Sequence, residues 1–312
     1  MDSTKKQVTL SKLNQHANFK DDDGQPLNHN FHGVANKTKA IFNLKGILQG
    51  VVADSQLNQH ELLFLENWLK NQGSMQDDGD VVDLLDLISD ILEDKVITED
   101  ELIELNLLIN DVVNYCGVES VDEKDQVNEF LGLLSGIAAD DLVNEIEVNA
   151  LVTWLNNNEN IIDVWPVYDI YDKLSVIIKK DFLTEKDSTE LLAFIKKLTG
   201  TDFLSTGAAE ANSSELFDTN VESIKYRNYT TFCFTGKFSC GTRRDLEEQV
   251  KEKGSKKTKD VSGSVDYLVV GALASRDWIC TSHGRKIEAA HALQKKGHRI
   301  AIISEEQWIK MS

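Results

Sequence analysis

Apolar residues recur every three or four positions from about residue 40 to residue 199, which is the period of a helix with one buried face. The first such stretch carries Leu44, Ile47, Leu48 and Val51. Three further stretches follow before residue 110. The pattern predicts four amphipathic helices in this part of the chain.

The same set of helices is predicted twice, because the sequence repeats itself at a constant offset of 86 residues. The identities at this offset are Gly50/Gly136, Asp54/Asp140, Asn58/Asn144, Glu61/Glu147, Leu65/Leu151, Trp68/Trp154, Leu69/Leu155 and Thr98/Thr184. A gapless repeat of this kind indicates two copies of one supersecondary unit. We therefore predict an acidic all-α domain over residues 37–199, with copies at about 40–114 and 126–199.

Helix starts in both copies are marked by capping boxes, in which an Asn or Thr precedes an acid by three residues. The pairs are Asn58/Glu61, Thr98/Glu101, Asn144/Glu147 and Thr184/Asp187. In this motif the carboxylate accepts the backbone N–H of the capping residue. Glu61 and Glu147 therefore have a structural role available to them.

The pattern changes after residue 225. Short apolar runs at 231–235, 267–271 and 300–303 predict buried strands, and helical stretches are predicted at 242–253, 285–296 and after Ser304. With a weak strand at 256–259, the order is βαββαβα. Such alternation predicts a small parallel sheet flanked by helices over residues 225–312.

Two stretches lack either period. Residues 1–36 are rich in Asp, Asn and His, and we predict a disordered tail there. Residues 200–224 include Ser205-Thr206-Gly207-Ala208-Ala209, which is typical of a flexible linker. The expected organisation is therefore a tail, a helical domain, a tether and a small α/β domain.

Charge divides the chain in the same way. Residues 225–312 hold 17 Lys and Arg against 10 Asp and Glu, a net charge of +7, and the preceding residues carry −26. Such polarity predicts a basic end that meets polyanions and an acidic body that binds a protein partner.

Composition narrows the function classes. The four cysteines form no C-x-x-C pair, so neither a zinc site nor a disulfide framework is predicted. No apolar stretch approaches the roughly 18 residues that cross a bilayer, and the start lacks a secretion signal. We expect a cytoplasmic protein without a cofactor.

The motif Gly50-Val51-Val52-Ala53-Asp54 with Glu61, and its copy Gly136-Ile137-Ala138-Ala139-Asp140 with Glu147, resembles the signature of TerB-like helical domains. The resemblance covers about residues 40–200. It implies that Asp54, Glu61, Asp140 and Glu147 are the candidates if this region binds metal.

The residues themselves favour a structural role for these acids. A loop starting at Asp54 has Gln59 where an EF-hand needs Gly and Leu65 where it needs Glu. We therefore assign no metal.

The C-terminal segment resembles a BRCT domain of the type found in NAD-dependent DNA ligases and the large subunit of replication factor C. The residues that carry the resemblance are Phe234-Thr235-Gly236, Lys253-Gly254, Val265-Asp266-Tyr267-Leu268-Val269-Val270-Gly271, Gly284-Arg285-Lys286-Ile287 and Ile303-Ser304-Glu305-Glu306-Gln307-Trp308. Two departures are Ser255, where a second Gly is usual, and a longer loop over residues 272–283.

The resemblance implies a phosphate pocket made by Thr235, Gly236, Arg243 and Lys286. Thr235 offers a hydroxyl, Gly236 lets a backbone N–H approach an anion closely, and the two cations supply charge. Arg244, Lys256, Lys257, Lys259 and Arg276 are candidates for additional DNA contacts.

The leading function is non-catalytic recognition of 5′-phosphorylated DNA ends, in repair, replication or defence, while the helical domain recruits an unknown partner. Alternatives are a phosphoprotein-binding adaptor and a TerB-like stress-response scaffold with metal binding. A DNA ligase is disfavoured, because Lys20-Asp21-Asp22-Asp23-Gly24 has one residue too many for the nucleotidyl motif K-x-D-G. We predict that the protein is not an enzyme.

Overall fold

The computed structural model describes residues 33–54, 58–71, 122–180, 182–209, 214–218, 220–272 and 280–312, together with isolated positions between 82 and 111. Within these residues a helix-rich region precedes a four-stranded sheet flanked by helices. The predicted multidomain class, helical followed by α/β, is confirmed. The predicted tail lies almost entirely outside the described residues.

The helical region holds seven described α-helices and one short 3₁₀ turn. They are α1 Gly33–Val51, α2 Gln59–Lys70, α3 Glu123–Ile137, α4 Glu145–Asn157, the 3₁₀ turn Glu159–Ile161, α5 Val167–Ile178, α6 Glu185–Thr199 and α7 Phe203–Thr206. The second copy has the four predicted helices, α3 to α6. The third and fourth helices predicted for the first copy lie mostly outside the described residues.

The two copies meet where α1 crosses α3, and glycines at the crossing make the approach possible. A Cβ atom on Gly46 would lie 1.8 Å from the carbonyl oxygen of Glu129, and one on Gly132 would lie 2.0 Å from that of Asn43. These two contacts are related by the 86-residue offset. The two helices therefore pack backbone to backbone about a local two-fold axis. Side chains at Gly46 and Gly132 would prevent this close packing.

Capping and core burial follow the sequence closely. Asn58, Asn144 and Thr184 each cap a helix in a complete capping box. Trp68 and Trp154 are both buried, each in the core of its own copy. Amphipathic periodicity and cap residues were thus sufficient to place these helices.

The C-terminal domain has the predicted order βαββαβα. Its elements are β1 Thr231–Thr235, α8 Arg243–Glu252, β2 Lys256–Thr258, β3 Tyr267–Val270, α9 Arg285–Lys295, β4 Ala301–Ser304 and α10 Glu305–Met311. The strands are all parallel, in the order β2-β1-β3-β4.

Helices cover both faces of this sheet. On one face Phe232 and Phe234 pack against Leu246 of α8 and Trp308 of α10. On the other face Cys233 packs with Ile287 of α9 and with residues of β3 and β4. Alternate residues of β1 therefore enter different cores, as the pleat of a strand requires.

The C-terminal domain packs directly against the helical region. The backbone N–H of Thr281 donates to Asn128 of α3 at 3.1 Å, and Cys280 is buried in the core of the second copy. Trp165 stacks on the ring of His291 of α9 at 4.3 Å between centroids and meets His283 edge-on. The basic domain is thus held against the acidic region through its residues 280–291.

The described part of the segment at 200–224 is packed, which corrects the expectation of a flexible tether. Ser214 N donates to the Ser282 carbonyl at 2.9 Å, and Glu215 N donates to the Lys197 carbonyl. Asp218 exchanges hydrogen bonds with the backbone of Ile302 in β4. Asp218 covers the β4 edge because its backbone N–H and its side-chain carboxylate both bond to Ile302.

Among the residues that the structure describes, no helix is both long and apolar enough to cross a membrane.

Candidate phosphate-binding site

The carboxyl end of β1 is the centre of the candidate site. Thr235 ends this strand and is 4% exposed, and Gly236 follows it with φ of 84°. This left-handed conformation favours glycine. In parallel α/β sheets ligands bind outside the carboxyl ends of the strands, so the chain turns here at the edge where an anion would bind.

Two cations from separate helices reach the same turn. Lys286, in the first turn of α9, places its Nζ 3.1 Å from the carbonyl oxygen of Phe234. Arg243, which opens α8, places Nη2 3.3 Å from the carbonyl oxygen of Gly236. The four predicted pocket residues are therefore brought to the end of β1, with Lys286 bonded to the carbonyl before Thr235 and Arg243 to the carbonyl after it.

Each cation keeps donors for a further acceptor. An ammonium has three N–H donors and a guanidinium has five. Lys286 uses one donor on the carbonyl of Phe234 in β1, and Arg243 uses one on the carbonyl of Gly236 in the turn after it. Burial raises the pKa of the neighbouring Cys233 thiol, whereas Lys286 and Arg243 act to lower it. The positive charge of Lys286 and Arg243 thus acts on groups near the end of β1.

The start of α9 adds polarity to this group. Its N-cap is Gly284, which offers no side chain to accept the N–H groups of the first turn. Helix N-termini of this kind carry partial positive charge and bind anions readily. Lys286 lies in this turn, so its ammonium and the helix terminus are close together.

Glu305 is a residue of the site that the sequence reasoning did not single out. Its carboxylate is buried and accepts hydrogen bonds from Ser239 Oγ at 2.8 Å, Cys240 N at 2.6 Å and Ala272 N at 2.9 Å. Although burial raises its pKa, these hydrogen bonds bring the net pKa of Glu305 below its usual value. It thereby fixes the loops that follow β1 and β3.

Gly271 has a similar positioning role. Its N–H donates to the Thr235 carbonyl at 2.9 Å, and a Cβ at this position would lie 2.0 Å from the Lys237 carbonyl oxygen. Glycine is required here because the loop after β1 crosses directly over it. The signal in the sequence is Gly271 directly after the apolar run that ends at Val270.

The candidates for additional contacts are distributed unevenly. Arg244, Lys256 and Lys259 are exposed on α8 and along the β2 edge. Lys257 forms an ion pair with Glu247 of α8, which offsets its charge. Arg276 lies outside the described residues.

His283, at the end of the longer loop, is turned inward. Its ring is 1% exposed and packs on Trp165. Burial, with a smaller effect of His291, lowers its pKa to about 3. The described residues 280–283 thus join the two parts of the chain.

The four metal candidates of the helical region do come together across the local two-fold axis. Asn58 Nδ2 donates to Asp140 at 2.9 Å, and Asn144 Nδ2 donates to Asp54 at 3.5 Å. Burial, and to a smaller extent the two aspartates, raises the pKa of Glu61 and of Glu147 to about 8. Both glutamates also accept the N–H of their capping residue.

These hydrogen bonds indicate that the four acids hold the two copies together. In the described part of the chain, no group of three or more His, Cys, Asp or Glu side chains is placed to hold a metal ion. The acids are engaged with the asparagines that join the two copies, because each asparagine serves as a cap in one copy and a donor to the other.

Comparison with known proteins addresses the C-terminal domain alone. Residues 225–311 match the model of the BRCA1 C Terminus (BRCT) domain family. DNA ligases of Coxiella burnetii strains Dugway 5J108-111, RSA 331 / Henzerling II and CbuK_Q154 are 35% identical over 81 residues. This match covers 26% of the chain and only 10% of each ligase. No solved structure matches the chain significantly.

Proposed function

We propose that this chain, whose residues 225–311 form a BRCT domain, is a non-catalytic protein that recognises the 5′-phosphate of a DNA end. A BRCT domain is a module typical of DNA repair and replication proteins and has no catalytic activity of its own. The ligase similarity is confined to this module. Ligase activity therefore does not transfer to the chain.

One observation carries the proposal. Lys286 and Arg243 come from different helices and converge on the end of β1, where they bond to the carbonyls of Phe234 and Gly236. Two cations, a helix N-terminus and a glycine turn are together the chemistry that binds a terminal phosphate. A phosphate monoester carries more charge than an internal phosphodiester, so such a pocket favours ends.

The exposed basic residues favour nucleic acid over peptide as the carrier of that phosphate. Arg244, Lys256 and Lys259 lie outside the pocket, where they would meet further phosphates of a backbone. A phosphopeptide offers no such row of charges. Binding should accordingly weaken with salt, with a slope set by the number of phosphates contacted.

The helical region supplies the second half of the proposed role. It is acidic, and it supports residues 280–291 through Asn128, which accepts from Thr281 N, and Trp165, which stacks on His291. We assign it to binding a protein partner, with the BRCT domain held in a fixed orientation beside it. An acidic surface of this kind repels DNA and so confines it to the BRCT domain.

The test is a titration of the full chain with a blunt hairpin duplex carrying a 5′-phosphate or a 5′-hydroxyl, at several salt concentrations. We expect the phosphate to raise affinity about 10-fold or more, and Arg243→Ala to remove most of that advantage. Lys310→Ala is the matched control, because Lys310 pairs with Glu306 on α10 outside the pocket. Equal affinity for both hairpins would contradict the proposal, and preferential binding of a phosphoserine peptide would favour the adaptor alternative.

A further inference from the structure

The start of β1, opposite the phosphate pocket, carries an exposed aromatic and cationic pair. Tyr229 is 62% exposed, and Arg227 donates a hydrogen bond to its hydroxyl. The Arg227 guanidinium also lies 5.7 Å from the centre of the Tyr229 ring. A large ring held in solvent beside a cation is not needed for packing the domain.

The turn that presents this pair is firmly held. Thr230 N donates to the Arg227 carbonyl at 2.9 Å, and Lys256 N donates to the Thr230 carbonyl at 2.8 Å. Arg227 N donates to the hydroxyl of Ser255 at 3.0 Å. Ser255 is the residue that departs from the family pattern, where glycine is usual. Its hydroxyl ties the Arg227–Thr230 turn to the start of β2.

The edge strand β2 leads from this turn towards the pocket. Lys256 pairs with Thr231 at the start of β1, and Thr258 pairs with Cys233 near its end. Lys256 and Lys259 are exposed along this edge, at its start and just beyond its end. The opposite edge, β4, is covered by Asp218. Among the residues that the structure describes, no strand pairs with the outer side of β2, and this edge is basic.

Lysines on an open edge also prevent strands of other molecules from pairing there. That role accounts for Lys256 and Lys259, but it does not account for Tyr229. An exposed ring next to a guanidinium offers a face for stacking, which sequence-tolerant single-strand binding uses. Paired bases in a duplex are stacked on each other and offer no such face.

The distance between the two features fits a short single strand. β1 from Thr231 to Thr235 spans about 13 Å at roughly 3.3 Å per residue. A stacked strand advances about 3.4 Å per nucleotide, so about four nucleotides span β1. Tyr229 lies two residues before β1, so a base stacked on it is about four to six nucleotides from a phosphate at Thr235. The duplex would begin beyond Tyr229.

We infer that the β2 edge binds a single-stranded 5′ extension whose terminal phosphate occupies the pocket, with an unpaired base stacked on Tyr229. This inference rests on the proposed phosphate recognition and specifies its substrate as a 5′-phosphorylated end with an unpaired tail. Lys256 and Lys259 contact the intervening phosphates. Arg227 positions the ring and supplies charge at its rim.

The experiment compares hairpins that have either a blunt end or an eight-nucleotide single-stranded 5′ extension, each with a 5′-phosphate or a 5′-hydroxyl, using the full chain and fluorescence anisotropy. We expect the extension to improve affinity about 10-fold. Tyr229→Ala should abolish that gain and leave blunt-end binding unchanged, whereas Tyr229→Phe should retain it. Tyr171→Ala is the matched control, since Tyr171 is an exposed tyrosine on α5 of the helical region.

The outcomes separate the two proposals. If blunt and extended hairpins bind equally well and Tyr229→Ala changes neither, the edge-binding inference is wrong while the phosphate pocket stands. If the extended hairpin binds better but the 5′-phosphate has no effect on either hairpin, the pocket assignment is wrong. A loss of affinity for both hairpins in Tyr229→Ala, with an unchanged circular dichroism spectrum, would also overturn the inference, because the ring would then act outside the extension.

Discussion

Raising the pH should destabilise the helical region through Glu61 and Glu147. Burial raises the pKa of each carboxyl from its ordinary value of 4.5 to about 8. In the unfolded chain these groups ionise near 4.5, whereas in the folded protein they stay protonated until about pH 8. Their contribution is therefore fully present below pH 4.5 and is lost as the pH rises to about 8.

The magnitude follows from the same pKa values. Each pH unit in this window costs about 1.4 kcal/mol per carboxyl, which sets a ceiling of about 5 kcal/mol for each glutamate. Relaxation of the cluster on ionisation makes the actual contribution smaller than this ceiling. We expect the two glutamates together to lower the free energy of unfolding by about 3–6 kcal/mol between pH 5.5 and pH 9.

The assay is urea denaturation followed by circular dichroism at several pH values, in high salt to screen the general repulsion of an acidic chain. In the double variant Glu61→Gln/Glu147→Gln the pH dependence should largely disappear, because glutamine still accepts the capping N–H but does not ionise. Glu190→Gln, on the exposed face of α6, is the matched control. Retention of the full pH dependence in the double variant would refute the reasoning.

Three further predictions concern positioning. Gly136→Ala should cost several kcal/mol of unfolding free energy, measured by denaturation, because its Cβ would lie 2.5 Å from the Ile47 carbonyl; an unchanged midpoint would contradict the close crossing. Trp165→Ala should loosen the contact between the domains and speed hydrogen exchange at residues 280–291, whereas unchanged exchange would contradict the docked arrangement. Glu305→Ala should weaken binding of a 5′-phosphorylated hairpin several-fold at nearly unchanged secondary structure, because the loop at Cys240 loses its acceptor; full affinity would show that this loop does not shape the pocket.

Sequence pattern was sufficient for the local structure. The C-terminal elements follow from runs of apolar residues and cap residues such as Ser304, whose side chain caps α10 as predicted. The parallel pairing follows from the alternation of strands and helices, whereas the strand order β2-β1-β3-β4 is not specified by it. These features depend on periods and caps, which are local properties of a chain.

The features that the sequence did not reveal depend on contacts between distant residues. The close approach of Gly46 to Glu129 is set by the crossing of two helices, and the sequence showed only a repeat. Composition at 200–224 indicated a flexible tether, whereas Ser214 and Asp218 pair with backbone groups of the C-terminal domain. The packing of Trp165 on His283 depends on a loop whose direction no local pattern specifies.

The candidate pocket could be predicted in part, because its residues were identifiable from the sequence but their contacts were not. Thr235, Gly236, Arg243 and Lys286 were selected through the family resemblance, and the structure brings their elements to one turn. The role of Glu305 as an acceptor for the loops after β1 and β3 could not be predicted from the sequence. A buried acid next to a helix cap has the same sequence pattern as an ordinary acid in the first turn of a helix.

The most direct test of the central claim is a double-mutant cycle between the 5′-phosphate of a blunt hairpin and the ammonium of Lys286. Affinities of wild type and Lys286→Ala are measured for the phosphorylated and the hydroxyl hairpin at one salt concentration. We predict that the 5′-phosphate raises the affinity of the wild type for the hairpin about 10-fold or more and has almost no effect on the affinity of Lys286→Ala. An equal advantage of the phosphate in both proteins would contradict it.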